Sequence, residues 1–340
     1  MIELHPVVAA ELHAIRRDLA ADGTILPKAE LRKHFDTFRR KFGPEVLRSL
    51  DGPALLEGMH AHGNKDSLVY WLEFKDDDEF PARFGGIAGE SALKFGVYRR
   101  KETGTWARKG TTSARVDISV DEAVAIAELH RDQLLAAVDV LARFSGRVSE
   151  GEGDHPYLEL QAELTRVAPD VEDSAWGHKY LSLLFPDTLD DYHAPAYQRW
   201  NLVRVLQLPP LRGETWAEGR YVCAGRFVAL ARVLDFSMNE LTTALNRRHG
   251  PPRAYWRVGT TDDEKARRKY WPMMRDGERV AIGWSALGDL SDRPATQETK
   301  DAIAALMRKH YPASPQVVGR AVSQVFQFVA RMSEGDRVLV

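Results

Sequence analysis

An acidic and basic pattern early in the chain could serve a metal-dependent nuclease. Asp66 opens the segment DSLVYWLEF, whose β-branched and aromatic residues predict a strand, and Glu73 and Lys75 stand at its end. On a strand, Glu73 and Lys75 would share a face, as magnesium binding and water activation require. However, Asp66 is too near in sequence to Glu73 to sit on a neighbouring strand. A magnesium-dependent nuclease built on these three residues is therefore an alternative hypothesis.

Other patterns that could do chemistry are weaker. The sequence contains no GxxxxGK[ST] phosphate loop, and the glycine cluster at 85–89 lacks the lysine and hydroxyl residue that grip phosphate and magnesium. His60 and His62 could face one metal ion but have no third ligand nearby in the sequence. The segment 190–193 (DDYH) is expected in a loop between two helices, with Tyr192 packed beneath it. We therefore expect no catalytic residue, metal site or cofactor, and no NTPase activity, in this chain.

A third pattern favours binding over catalysis. Aromatic and basic residues are interleaved towards the C-terminus, and they comprise Tyr255, Trp256, Tyr270, Trp271 and Trp284 with Arg253, Arg257, Arg267, Arg268, Lys269 and Arg275. Aromatic faces stack on nucleobases, at about 1–3 kcal/mol per base, while Arg and Lys hold phosphates. The alternative is that Trp256 and Trp271 belong to a core and that the arginines only increase solubility. Composition alone does not choose between the two.

The charge distribution along the chain is also compatible with binding to a nucleic acid. The formal net charge of −2 hides an acidic middle, because residues 147–191 hold 11 Asp and Glu against 3 Lys and Arg. Residues 253–340 hold 15 Lys and Arg against 11 Asp and Glu, and residues 28–48 hold 7 against 3. The two basic regions could meet a polyanion, and the acidic middle could not.

Several helices and strands must position these residues. Residues 6–21, 28–42 and 120–144 have helical patterns, the last with Ser119 as N-cap and Glu122 three residues on. A strand at 93–99 is expected to form a hairpin into Trp106. Residues 145–156 look like a linker, and 157–248 are mostly helical. After a break at 249–252, we expect strands at 254–258, 279–282 and 337–340 and helices at 262–270, 296–310 and 315–332.

Composition limits the class of protein. The chain has 340 residues, of which 44% are hydrophobic and 28% charged, and it has no apolar run of membrane-spanning length and no signal-peptide pattern. The single cysteine, Cys223, lies in an apolar helical pattern and excludes an internal disulfide. The cytoplasm is the expected compartment.

Three stretches resemble the N-terminal architecture of McrB-like AAA+ restriction proteins. The McrB N-terminal domain is similar to DSLVYWLEFKDDDEFPARFGGIAGESALKFGVYRRKETGTW and ISVDEAVAIAELHRDQLL. A helical segment that follows it resembles AWGHKYLSLLFPDTLDDYHAPAYQRWNLVRVLQLPP. An EVE/PUA-like domain resembles AYWRVGTTDDEKARRKYWPMMRDGERVAIGWSALGDLSD and VGRAVSQVFQFVARMSEGDRVLV.

The resemblance implies an α+β chain in three parts. These are a McrB-type N-terminal DNA-binding domain over 1–146, a helical connector over 155–249, and an EVE/PUA-like partial β-barrel with helices over 253–340. The sequence stops on its last apolar strand with no partner after it, so we expect this domain to be incomplete at its C-terminus.

The resemblance also implies a function. Such modules bind DNA and extract a modified base from the stack into an aromatic pocket, which costs a few kcal/mol. A motor domain, not part of this chain, would use GTP and Mg²⁺ and recruit a separate nuclease subunit. The chain itself is then expected to bind DNA and to catalyse nothing. An assembly or partner-docking scaffold is the alternative.

The same resemblance supplies site residues. The base-binding candidates in the last domain are Trp256, Trp284, Asp289, Ser323 and Gln324. In the first domain Trp71, Tyr98 and Trp106 are candidate stacking residues without a residue-by-residue match to the family, and we expect two of the three to be buried for packing instead. The phosphate-binding candidates come from the basic segments and not from the resemblance, and they are Arg253, Arg257, Arg267, Arg268 and Lys269, and Arg39, Arg40 and Lys41.

Overall fold

A computed structural model describes most of the chain, as two compact units, Met1–Pro251 and Pro252–Val340. The residues that it describes are 4–75, 80, 84–85, 87, 92–100, 103–109, 115–145, 155–206, 219–252, 255–259, 270–291, 293–332 and 336–339. Of these residues 66% are helical, which confirms the mixed α+β class and makes it a mainly helical one. The division between the units coincides with the break expected at 249–252.

The first unit is a helical body with one small sheet. Its described helices are α1 (Pro6–Ala21), α2 (Lys28–Phe42), α3 (Pro44–Arg48), α4 (Gly52–His60), α5 (Leu68–Phe74), α6 (Val120–Ser145), α7 (His155–Val167), α8 (Ala175–Leu184), α9 (Pro195–Leu206), α10 (Arg220–Leu234) and α11 (Met238–His249). Its strands are β1 (Val97–Arg99), β2 (Trp106–Lys109) and β3 (Arg115–Ile118), antiparallel in that order.

Local signals account for the ends of several helices. The predicted cap of α6 is present, since the Glu122 N–H donates to Ser119 Oγ at 3.1 Å and the Ser119 N–H donates to Glu122 Oε2 at 2.9 Å. This reciprocal pair is a capping box, and it satisfies two N–H groups that the helix leaves without partners. The predicted hairpin also forms, with Arg99 opposite Trp106 and Gly104 at a φ of 71° in the turn.

The strand expected over Asp66–Phe74 is wrong, because this segment forms helix α5. Ser67 caps the helix by accepting the Tyr70 N–H at 3.3 Å. Helical spacing then buries Leu68, Val69 and Leu72 together. The β propensity of these residues is a weak preference, and packing against the rest of the unit overrides it. The strand expected at 93–99 is shorter than predicted, because Ala92–Phe95 form a 3-10 turn before β1.

One hydrophobic core runs through the first unit. Helix α6 packs on α4 and α7, α7 packs on α10, and α1 packs on α11. At the centre Trp176 of α8 is buried against His60 and His130. The predicted N-terminal domain and helical connector therefore share this core.

The second unit has a helical hairpin and a short sheet. Its described helices are α12 (Trp271–Asp276), α13 (Gln297–His310) and α14 (Pro315–Phe326), the last continued by a π-helical turn at Gln327–Arg331. Strands β4 (Tyr255–Arg257) and β5 (Arg337–Leu339) pair in parallel, with Trp256 opposite Val338. The final strand thus has an earlier strand as its partner.

The predicted strand, helix and barrel of the second unit are each compared with the structure. The strand expected at 279–282 is wrong, since these residues have no regular secondary structure. The helix expected at 262–270 lies almost wholly outside the described residues. The part of the unit that the structure describes contains no closed barrel, so the EVE/PUA-like barrel stays a prediction.

Within the described ranges, no helix combines the length and apolarity needed to cross a membrane.

Candidate functional site

The aromatic candidates of the first unit are packing residues. Trp71, Tyr98 and Trp106 are only 2%, 6% and 5% exposed. Trp71 lies against Phe42 and Phe80, with ring centroids 5.4 and 5.3 Å apart. No base can stack on these rings unless the core opens, so their predicted role in base binding has no support in this structure.

The phosphate candidates of the first unit hold partners within the chain. Arg39 donates to the Leu184 carbonyl at 2.6 Å, and Arg40 donates to Thr37 Oγ1 at 2.8 Å. Lys41 pairs with Asp66 at 2.6 Å. All three lie in the last turn of α2, where positive charge offsets the helix dipole. A structural role thus accounts for them.

The nuclease hypothesis loses its geometric basis, because Glu73 and Lys75 are not on a strand. The Glu73 carboxylate lies 2.7 Å from Lys94 Nζ and 3.5 Å from His62 Nε2. Burial would raise the pKa of Glu73, but its bonds with His62 and Lys94 leave it below its ordinary value. Lys75 lies over the Trp71 ring at 4.9 Å. Among the described residues, no group of three His, Cys, Asp or Glu is arranged to hold a metal ion.

Trp256 of the second unit is half-buried at the small sheet. Its Nε1–H donates to Asp336 Oδ2 at 2.6 Å, which fixes the ring beside β5. The indole therefore keeps its polar edge occupied and part of its surface in solvent, an arrangement common for tryptophan at binding surfaces.

Trp284 is half-buried and has an unusual backbone. Its φ is 71° and its ψ is 40°, the left-handed region that a bulky residue rarely occupies. The turn that follows is anchored, because Leu287 is buried and the Ala286 N–H donates to Tyr311 Oη at 2.9 Å. The ring packs along the edge of the second unit's core. Trp284 is thus held in place at the surface.

The remaining candidates divide into three groups. Asp289 is exposed and accepts the Ser291 N–H at 2.9 Å, and this backbone hydrogen bond lowers its pKa, so it shapes a local turn. Ser323 accepts from Gln327 at 3.3 Å, while Gln324 and Arg257 are exposed. Arg253, Arg267, Arg268 and Lys269 lie outside the described residues.

The first unit contains a cluster of buried ionisable side chains that the sequence patterns did not predict. We call it the buried polar cluster, and it comprises His178, Lys179, Asp190, His193 and Arg220. The DDYH segment was expected to be a loop over a packed Tyr192, and it is, but its Asp190 and His193 point inward with it. The sequence of helix α8 could have indicated this cluster, because His178 and Lys179 stand in a mainly apolar segment. The structure buries this helix on all sides.

The hydrogen bonds of the buried polar cluster fix its protonation pattern. His193 Nε2 lies 2.8 Å from the Phe84 carbonyl, so it must carry the proton. His193 Nδ1 then accepts from His178 Nδ1 at 3.1 Å, which leaves His178 Nε2 as an acceptor 3.8 Å from Asp190. Burial lowers the pKa of both imidazoles, that of His193 to about 3. Both are neutral at pH 7.

Burial also shifts the pKa values of the acid and the amine of this cluster, each in the direction that favours its neutral form. Burial raises the pKa of Asp190 to about 7, although hydrogen bonds from Gln198 and Tyr192 oppose it. Burial lowers the pKa of Lys179 to about 8, and its Nζ donates to the Leu72 carbonyl at 2.8 Å. Ionisable groups perturbed by burial are common at functional sites, and structural networks show them too.

Comparison with protein-family models, with characterised proteins and with solved structures found no match. The family resemblance therefore stays a prediction from the sequence.

Proposed function

We propose that the second unit binds a base of a nucleic acid, and that the chain recognises DNA carrying a modified base, as in the McrB-like restriction proteins that it resembles. In this proposal the chain is a binding component with an EVE/PUA-like fold in its second unit. GTP hydrolysis with Mg²⁺ and DNA cleavage belong to a motor and a nuclease subunit outside it.

The observation that carries the proposal is the state of Trp284. A non-glycine residue in the left-handed region costs of order 1–3 kcal/mol, and such strain clusters at ligand sites. Here it holds a half-buried indole on a turn pinned by Leu287 and Tyr311. A prepositioned ring favours the binding of a base, since ordering a mobile ring would consume part of the stacking energy.

Charge in the same unit supports a polyanionic ligand. Arg257 and Arg279 are exposed and lie close in sequence to Trp256 and Trp284, and the exposed Arg275 pairs with Asp276 at 2.7 Å. Lys and Arg outnumber Asp and Glu by four over residues 253–340. Phosphate contacts by exposed cations supply most of the affinity for nucleic acid, and they make that affinity depend on salt.

The test is a binding titration of Trp284→Gly. Glycine adopts a φ of 71° without strain, so the substitution removes the ring while it preserves the turn. Because one stacked base contributes about 1–3 kcal/mol, we expect affinity for a modified duplex to fall roughly 5- to 150-fold. Fluorescence anisotropy with a labelled duplex measures it.

Glu278→Gly is the matched control. Glu278 also has a positive φ, 48°, is exposed and lies in the same unit, so glycine relieves the same kind of strain without removing a ring. Its affinity should equal or slightly exceed that of the parent. Equal losses in both variants, or none in Trp284→Gly, would refute the assignment.

A protein-docking surface is the second candidate, and α12 favours it. Trp271 and Met273 on this helix are 40% and 47% exposed, and an apolar pair of this kind is typical of protein interfaces. Binding of a protein partner that persists at high salt, with no binding of DNA at low salt, would favour this candidate.

A further inference from the structure

Helix α14 of the second unit has one apolar face and one polar face. The apolar face belongs to the core that α14 shares with α13, and its buried residues follow the helical spacing i, i+3, i+4 and i+7, as Val318, Ala321, Val322 and Val325. The opposite face is exposed or half-buried, and we call it the polar face of α14; it comprises Gln316, Gly319, Arg320, Ser323, Gln324 and Gln327. The core of the unit does not use this face.

The charge around the polar face has one sign. No Asp or Glu occurs from residue 302 to residue 333, although 49 of the 340 residues of the chain are acidic. The same stretch contains four cations, all of them exposed, which are Arg308, Lys309, Arg320 and Arg331. A surface with positive charge only favours a polyanionic ligand.

Helix α13 of the same unit has an ordinary solvated face for comparison. Its exposed residues include Glu298 and Asp301 as well as Arg308, and Gln297 donates to Asp301 Oδ1 at 2.8 Å. The exposed side chains of α13 therefore partly satisfy one another. Arg320 of α14, by contrast, has neither a hydrogen bond nor an ion pair within the part of the chain that the structure describes.

The side chains of the polar face suit the base edges of a duplex. In the major groove Arg pairs with guanine and Gln with adenine through two hydrogen bonds, and Ser bonds to either base. Single strands are held by stacking on aromatic rings, and the polar face has none. A protein or membrane partner needs apolar anchors, and the large apolar side chain exposed on α14 is Val317, at 53%.

The shape of α14 also fits a groove. A helix with its side chains is about 10–12 Å wide, and the major groove of B-DNA is about 12 Å wide. At Gly319 nothing lies within 4 Å of the place that a Cβ would occupy, so the helix backbone can approach a ligand closely there. Glycine inside a helix costs stability relative to alanine, and no neighbouring side chain requires it here.

We propose that the polar face of α14 docks in the major groove of duplex DNA. Gln316, Gln324 and Gln327 face base edges, and the positive charges of Arg320 and Arg331 offset those of the phosphates. The inference rests on the proposed nucleic-acid function and adds a second contact to it: α14 holds the duplex, whereas Trp284 stacks on one base.

Gln316→Glu tests the polar face with almost no change in shape. It places a carboxylate in the first turn of α14, where it should cancel one phosphate contact. One contact contributes about 0.9 to the slope of log affinity against log salt, so affinity for an unmodified duplex should fall roughly eightfold at about 0.1 M salt and hardly at all at about 1 M. Fluorescence anisotropy with a labelled duplex measures it. Arg320→Gln removes one cation and should give a similar loss.

Gln297→Glu is the matched control. Gln297 is exposed in the first turn of α13, so the same substitution changes the net charge equally at the same place in a helix. Its affinity for the duplex should stay close to that of the parent. Equal losses in Gln297→Glu and Gln316→Glu would show that net charge alone sets the affinity, and they would overturn the proposal. Melting temperatures of all variants show whether any is misfolded.

Duplex RNA of the same sequence tests the groove. It carries the same phosphate charges, but its major groove is too deep and narrow for side chains to read. We expect the DNA duplex to bind more tightly than the RNA duplex and more tightly than either single strand of the DNA. Equal affinity for the DNA and RNA duplexes, tighter binding of a single strand, or no binding of the DNA duplex contradicts docking in the major groove.

A pair of modified and unmodified duplexes separates this inference from the proposed function. Arg320→Gln should weaken the binding of both duplexes by the same factor, whereas Trp284→Gly should remove the preference between them. Duplex binding that depends on α14 but shows no preference for a modified base refutes the proposed function alone. A preference that persists with no effect of Gln316→Glu or Arg320→Gln refutes the role of α14 alone.

Discussion

Asp190 is a buried acid whose protonation should affect the stability of the first unit. It is fully buried, and its two carboxylate oxygens accept from the Tyr192 N–H and from Gln198 Nε2, each at 2.8 Å. Burial raises its pKa from 3.8 to about 7. Because the folded state holds this proton more tightly than the unfolded state, Asp190 lowers stability as pH rises from about 4 to 7.

Replacing Asp190 with asparagine should change the pH dependence of unfolding in one direction. The amide does not titrate, so the free energy of unfolding of the variant should rise relative to the parent between pH 4 and 7. At about 1.4 kcal/mol per pKa unit, the relative gain is up to roughly 4 kcal/mol. The substitution should also lower the free energy of unfolding by an amount that does not depend on pH, because the side-chain nitrogen of the asparagine would face an N–H donor.

Urea unfolding at several pH values measures this difference. The control is Asp187→Asn, the same substitution at an exposed acid of the same loop, which should not reproduce the gain. The buried imidazoles act oppositely: the lowered pKa values of His178 and His193 make stability fall as pH drops below about 6.5. A difference for Asp190→Asn that stays flat across the range would show that Asp190 is ionised throughout.

At this scale the sequence predicts residue types better than exposure. Trp256 and Trp284 were predicted to bind a base because they are tryptophans among basic residues, and both are partly exposed. Trp71 and Trp106 have the same side chain, but packing of the first unit buries them. Gln198 and Arg220 were missed because their partners Asp190 and His193 lie on other segments, which no local pattern reveals.

At the scale of elements, local chemistry predicts helices well and short strands poorly. Helices α1 and α2 span the predicted residues, and α6 begins one residue after its predicted cap. Each has a long apolar face and a clear start or stop signal. The strand assignment at Asp66–Phe74 failed because seven residues carry too little periodicity to separate a buried helix from a strand.

The cap of α6 supports a quantitative expectation. Ser119→Ala removes the acceptor for the Glu122 N–H and should cost about 1 kcal/mol of unfolding free energy, within a range of roughly 0.5–2. Urea denaturation of the variant and the parent measures this loss, and the m-value should be the same for both. Ser119→Asp keeps an acceptor at the N-cap and should be close to the parent. If the alanine and aspartate variants are equally stable, the capping bond contributes nothing.

At the scale of the whole molecule, the two units present different surfaces. The first unit buries Trp71, Trp106 and Trp176 and leaves Trp200 half-buried, and its Arg39 and Lys41 hold partners within the chain. The second unit keeps Trp271 exposed and Trp256 and Trp284 half-buried. The proposed nucleic-acid contact belongs to the second unit. The sequence resemblance placed candidates in both end regions, since burial depends on packing that motifs do not record.

The most direct test of the central claim is a titration of the intact chain with two otherwise identical duplexes, one with a modified base and one without, at several salt concentrations. Separate duplexes carrying 5-methylcytosine, 5-hydroxymethylcytosine and N6-methyladenine cover the common modifications. We expect one modified duplex to bind more tightly than its unmodified partner at every salt concentration, with affinity for both falling as salt rises. Equal affinity for all duplexes, or no binding even at low salt, would contradict the assignment of base recognition to Trp284 and the second unit.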